Sequence, residues 1–153
     1  MLLISTQIGL SPIHGIGLFA DQLIPEGTVT WKYHPNFDAS YTEDDFLKMP
    51  QAAKIQFLKY AYYDKELNLY ILCSDDQRFI NHSSESPNIL STPQQDVAAR
   101  DILPGEELLC DYNCYDDTYF IRVGMPHLAR RTQIPNCAVA KSAIDRPLIN
   151  VPV

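Results

Sequence analysis

The segment RFINHS, residues 78–83, sets an arginine, an asparagine, a histidine and a serine around one Phe-Ile pair. The Asn81 carboxamide offers a donor and an acceptor side by side, and the His82 imidazole adds another such pair. These groups can grip a ligand carrying an amine and a carboxylate, or the edge of an adenine. They can equally knit a hydrogen-bonded turn, with Pro87-Asn88 closing it. Two other stretches carry chemistry. GIGLFA, residues 15–20, spaces Gly15 and Gly17 by one residue, Ile16. Glycine allows positive φ and close backbone approach to a ligand. The stretch is not a phosphate loop, because Phe19-Ala20 reads as strand where a helix should open. GEELLCDYN, residues 105–113, ends an apolar run beside Asp111 and Tyr112. A phenol there can orient a reacting group or simply satisfy a core contact.

The remaining titratable residues exclude other chemistries. Cys110 and Cys114 lie four apart, not as CxxC, and Cys73 and Cys137 complete no four-ligand zinc set. The histidines (His14, His34, His82, His127) show no HExxH spacing. No metal is expected, and the cysteines read as reduced thiols of an intracellular protein, placed in the cytoplasm with the nucleus left open. Net charge is −7, with acids clustered at Glu43-Asp44-Asp45, Asp75-Asp76, Glu106-Glu107 and Asp116-Asp117. A nucleic-acid binder would show a basic face, so that partner is not expected. The acidic surface suits a basic peptide, or only keeps the chain soluble. The opening MLLISTQIGL has no basic flank and is not read as a signal peptide. No apolar run approaches the ~18 residues of a membrane span.

Short elements must position these motifs. Eleven prolines spread through 153 residues interrupt the chain, which suits one domain. Residues 2–8, 17–20, 28–33, 67–73, 96–100 and 102–109 read as strands, bounded by turn chemistry such as IPEGT. Thr42 and Asp45 form a box-like helix start. Ala53, Phe57, Tyr60 and Ala61 then fall on one helical face, so 42–61 reads as one or two helices inserted between β-rich halves. From Met125 the chain turns irregular, with Pro126, Pro135, Pro147 and Pro152. The expected organisation is a mainly β domain over 1–124 and an extension over 125–153 that packs on it.

GIGLFA, RFINHS and GEELLCDY, in that order, resemble the SET-domain protein-lysine methyltransferases. IHGIGLFADQLIPEGT and VAARDILPGEELLCDYN resemble that family along their whole length, and the likeness covers roughly residues 8–115. It implies a SET-like (β-clip) fold in which the strand carrying Tyr112 passes beneath RFINHS as a C-terminal pseudoknot, an exception to the rule against threaded chains. It implies S-adenosylmethionine as cofactor, held by Gly15, Ile16, Gly17, Asn81, His82 and Tyr112. Tyr112 becomes the catalytic residue, and a basic protein or peptide supplies the lysine.

Further implications concern the substrate channel. Tyr62 or Tyr63, at the end of the helical insert, are candidates for its aromatic wall. Cys110 stands two residues before Tyr112, where the family often carries Tyr or Phe; the smaller side chain leaves room for more than one methyl. Where the family often places a zinc-ligating Cys after the NHS motif, this chain has Ser84, and Ser86 reads as an insertion. It resembles the short stand-alone members, whose adenine pocket needs another lid: Phe120, or the tail after Met125. The alternative reading is a SET-like module that binds without turnover. A small-molecule methyltransferase using the same cofactor is a third.

Overall fold

The computed structural model describes residues 1–129. A first antiparallel hairpin joins β1 (Thr6–Leu10) to β2 (Ile16–Ala20). After β3 (Val29–Lys32) comes the insert: β4 (Ala39–Tyr41), α1 (Glu43–Lys48), α2 (Gln51–Tyr60), β5 (Ala61–Asp64) and β6 (Leu69–Leu72). A 3-10 turn at Asp76–Phe79 leads into β7 (Asn81–His82), β8 (Ile89–Ser91), β9 (Gln95–Ala98) and β10 (Leu109–Cys110). A second 3-10 turn at Tyr112–Cys114 and the short α3 (Tyr119–Arg122) follow.

The insert starts as its sequence predicts. Thr42 Oγ1 accepts from Asp45 N at 3.2 Å while Asp45 Oδ2 accepts from Thr42 N at 3.0 Å. Glu43, Asp44 and Asp45 occupy the first turn, where negative charge meets the positive end of the helix dipole. Pro50 separates the two helices. Of the face expected over 53–61, only Phe57 is buried within α2; Ala61 is buried but already belongs to β5. Phe57 packs edge-on against Tyr41 and Tyr70. Phe57, with Leu58 packed beside the same cluster, holds the helix to the three-stranded sheet β4-β6-β5.

A five-stranded sheet, in the order β3-β9-β8-β10-β7, carries the motifs. Strands β7 and β8 are consecutive along the chain, yet β10 lies between them, parallel to both. This is the expected threading, spanned by the connection 83–88. Asn88 supplies what a continuous strand would have supplied. Its Nδ2 donates to Glu107 O at 2.8 Å, its Oδ1 accepts from Leu109 N at 2.8 Å, and its backbone N donates to Leu109 O at 3.0 Å. Ser83 N donates to Cys110 O at 3.0 Å. The backbone groups of the threaded strand are thus paired on both sides, as buried amides require. Leu18, Ile24, Ile80, Ile89, Ile102 and Leu108 form the core beneath.

Three sequence expectations are corrected. Residues 2–8 form strand only from Thr6, with Leu2 making an isolated bridge to Trp31. Residues 102–109 make bridges, Ile102 to Ile24 and Glu107 to Phe19, and become strand only at Leu109. Partners on three different segments hold this stretch, so no single ladder forms. Cys73 and Cys110 are free thiols, but Cys114 is disulfide-bonded. A disulfide depends on Cα approach in space, which spacing along the chain does not report. The expected extension from 125 is described as far as Ala129; the rest, with Cys137, lies outside the described residues.

Candidate active site

Asn81 joins the first two motifs. Its Nδ2 donates to His14 O at 3.2 Å, Ile16 O at 3.0 Å and Glu107 Oε1 at 2.9 Å. Glu107 Oε2 in turn accepts from Ser11 Oγ at 3.0 Å. Gly17 is required by this approach: a Cβ there would lie 2.2 Å from Glu107 Oε1. Gly15 holds φ at +55°, and the space where its Cβ would project is open. No described residue donates to Asn81 Oδ1. Two main-chain carbonyls and a carboxylate therefore converge on the Asn81 amide nitrogen beside an uncrowded glycine turn, which leaves the Asn81 carboxamide oxygen as an acceptor there. Such a face suits a ligand bearing positive charge, the opposite of a phosphate loop lined with N–H groups.

His82 and Tyr112 meet next to it. Tyr112 N donates to His82 Nδ1 at 3.2 Å, and the two rings lie 5.2 Å apart. Asp111 Oδ1 stands 3.7 Å from the same nitrogen. Phe120 sits edge-on to His82 at 4.8 Å and nearly parallel to Tyr112 at 5.9 Å. Of the two proposed lids, Phe120 is thus placed against His82, while the tail beyond Ala129 lies outside the described residues. The Tyr112 hydroxyl donates to Ile80 O at 2.5 Å. Desolvation holds that phenol well above its ordinary value, so it is a neutral hydroxyl at any physiological pH and not a base.

On its other side Tyr112 enters a cavity of about 50 Å³, several times the ~10–15 Å³ that one water needs. Trp31, Tyr62, Asp96, Cys110 and Tyr115 line it with Tyr112. Tyr62 stands edge-on to Trp31 at 6.4 Å and to Tyr115 at 5.5 Å. Its hydroxyl donates to Pro93 O at 2.6 Å, and burial raises its pKa far above that of a free phenol. The Cys110 thiol is likewise pushed up by burial, so it is a small neutral wall and not a nucleophile.

The structure brings Gly15, Ile16, Gly17, Asn81, His82 and Tyr112 together on the polar side, and Tyr62 and Cys110 in the cavity. Tyr63 does not join them. Successive residues of β5 face opposite sides of the sheet, so Tyr63 turns away, packs 5.0 Å from Tyr70 and donates its hydroxyl to Asn68 Oδ1 at 2.5 Å. Sequence reasoning missed Glu107, Trp31, Tyr115 and Asp96. Glu107 had a local signal, since it sits inside GEELLCDY; the others had none, because they come from separate strands and turns.

A family model for the SET domain matches residues 15–113. Solved structures of the same fold include a putative histone methyltransferase of Plasmodium falciparum. It aligns with a TM-score of 0.51 at 20% identity, over 72% of this chain and 95% of that one. CpSET8 from Cryptosporidium aligns at 0.52 and 27% identity, over 72% of this chain and 58% of that one. A chain of the Chaetomium thermophilum Polycomb Repressive Complex 2 aligns at 0.59 and 21% identity, over 80% of this chain and 18% of that one. No curated protein sequence matches.

Proposed function

Because the chain belongs to the SET-domain family, we propose that it is an S-adenosylmethionine-dependent methyltransferase acting on lysine side chains of proteins. One observation carries this reading. Tyr112 divides an acceptor-rich face from an aromatic cavity and belongs to both, with its backbone on His82 and its ring in the cavity wall.

The acceptor-rich face fits the cofactor's charge. Asn81 Oδ1 and the backbone around Gly15, Ile16 and Gly17 would hold its amino-acid end, and His82 with Phe120 would flank its base. Bound there, the cofactor supplies a methyl group on a positively charged sulfur. The protein's part is positional. A lysine amine and that methyl must meet in line within about 3–3.5 Å. The aromatic cavity admits a narrow alkyl chain and excludes water. A lysine ammonium, ordinarily of pKa about 10.4, loses its advantage over the neutral amine in such surroundings. The Tyr112 hydroxyl, fixed by Ile80 O, presents its oxygen dipole where positive charge disperses. Cys110 leaves space for an amine already carrying methyl groups. The substrate is a lysine on a basic protein, matched to the net charge of −7. Among the structural neighbours, one is a putative histone methyltransferase and another was solved with H3K27me3.

Calorimetric titration of S-adenosylmethionine, followed by mass spectrometry of lysine peptides incubated with enzyme and cofactor, tests the proposal. Binding, with ~2.7 kcal/mol of stabilisation at a hundred times Kd, and products carrying more than one methyl are expected. No binding at millimolar cofactor would leave a fold that recognises peptides without turnover.

A further inference from the structure

Asp96 is an acid in the wall of an aromatic cavity. It lies in β9, the second strand of the five-stranded sheet, opposite Trp31 of β3 and Ser91 of β8. Residues directly opposite in a ladder share a face, and here that face carries Trp31 and Asp96 into the cavity wall. A register shift between Val29 and Trp31 marks the edge where Trp31 takes this position. Asp96 is 3% exposed. Its Oδ2 accepts from Gln77 Nε2. Two more polar atoms of the same lining are buried and without hydrogen-bond partners among the described residues: Gln77 Oε1 and Trp31 Nε1. A closed apolar core would not gather an acid, an acceptor and a donor around a cavity, because each costs free energy until a polar group meets it.

A lysine ammonium would meet the acid and the acceptor among them. Resting on the reading that this cavity receives the target lysine, we infer that Asp96 is the proton acceptor that converts the lysine ammonium into the amine that reacts. One N–H bond of the ammonium breaks, an O–H bond forms on the Asp96 carboxylate, and the electron pair stays on nitrogen. That pair then takes the methyl from the cofactor's sulfonium, whose C–S bond breaks with its electrons left on sulfur. The carboxylic acid loses its proton to solvent when the product leaves. Gln77 Oε1 is placed to accept from the amine while Gln77 Nε2 holds the carboxyl.

The electrostatics agree. Burial is the largest influence on Asp96 and raises it to about 7, against the opposing pull of Ser91 and Gln77. An acid of that strength is ionised for a useful fraction at neutral pH and still accepts a proton readily. The titratable groups around it are Tyr62, Cys73, Cys110 and Tyr115, all held neutral by burial. The Met1 amino group contributes a small opposite effect. Lys59 and Arg78 also line the cavity, with the Arg78 guanidinium turned to Cys73 O and Ser74 O. Because the folded value lies above the unfolded one, Asp96 favours the native state below about pH 4 and loses that contribution as pH rises through about 7.

Two measurements on the full chain decide the matter. The first does not depend on turnover. Aspartate side-chain carboxyls are labelled with carbon-13, assigned by through-bond spectra, and followed as butylamine, a mimic of the lysine side chain, is added at pH 7. The Asp96 signal should move toward its protonated position; an unmoved signal overturns the inference even if the protein is an active methyltransferase. The second compares wild type with Asp96→Asn, which keeps volume and can keep the Gln77 contact. Wild-type kcat should show an inflection near neutrality. Asp96→Asn should lose it and fall about 100-fold, with unchanged S-adenosylmethionine affinity showing that the cofactor face is intact. An unaltered kcat and pH profile in Asp96→Asn overturns the proton-acceptor role. If wild type neither binds cofactor nor turns over, the proposed function fails, and the butylamine result still stands or falls alone.

Discussion

The acceptor face around Asn81 and the cavity beyond Tyr112 are neighbours built on opposite plans. The face is assembled from three short stretches, each nearly complete in itself, tied by one carboxamide and one carboxylate. The cavity takes side chains from β3, α2, β5, β9, β10 and the turns around them, its rings packed edge to edge and its hydrogen bonds each confined to one wall. Hydrogen bonds fix direction, so the face can present a few atoms at set angles to a ligand of one chemistry. Ring packing fixes width, so the cavity selects by size and exclusion of water. Tyr112 is the one residue asked to do both.

The largest effect should come from that shared residue. Tyr112→Phe removes the hydroxyl while keeping the ring. We expect kcat to fall by ~10²–10³ in steady-state assays while calorimetry finds cofactor affinity nearly unchanged. Equal losses in both would mean that face and cavity are one unit. Gly17→Ala should break the face alone. Its Cβ would meet Glu107 at 2.2 Å, and either the carboxylate leaves Asn81 or the backbone yields, at ~1–3 kcal/mol. Chemical denaturation should show that loss together with weaker cofactor binding. The smallest effects sharpen the cavity. Tyr62→Phe strips a partner from Pro93 O and should cost about 1 kcal/mol with slower turnover. Tyr63→Phe, on the opposite side of the same strand, should cost about 0.5 kcal/mol or less and leave turnover alone. A Tyr63 variant that impairs methyl transfer would place the channel elsewhere.

These two regions also differ in how far they can be read from the chain. The glycine turn, the Asn81-His82 couple and Tyr112 were legible because each sits in a contiguous motif with its own turn or strand signal. The threading was legible only through resemblance, since nothing in the period of residues 105–113 says that β10 enters between β7 and β8. Asp96 and Trp31 were not legible. QDVA sets two polar residues before two apolar ones, so no alternation assigns its acid a side of the strand. Only the pairing with Trp31 on one side and Ser91 on the other turns it inward. Tyr62 and Tyr63 were indistinguishable for a related reason: strand alternation says they differ, and the sheet partner decides which faces the cavity.

The seat of β10 between two strands already joined to each other has a kinetic consequence. Positions 81 and 109 must find each other across a long closure, the kind of contact that slows folding. Asn88, reaching both Glu107 and Leu109, is the latch that keeps the strand of the phenol in that seat once it has formed.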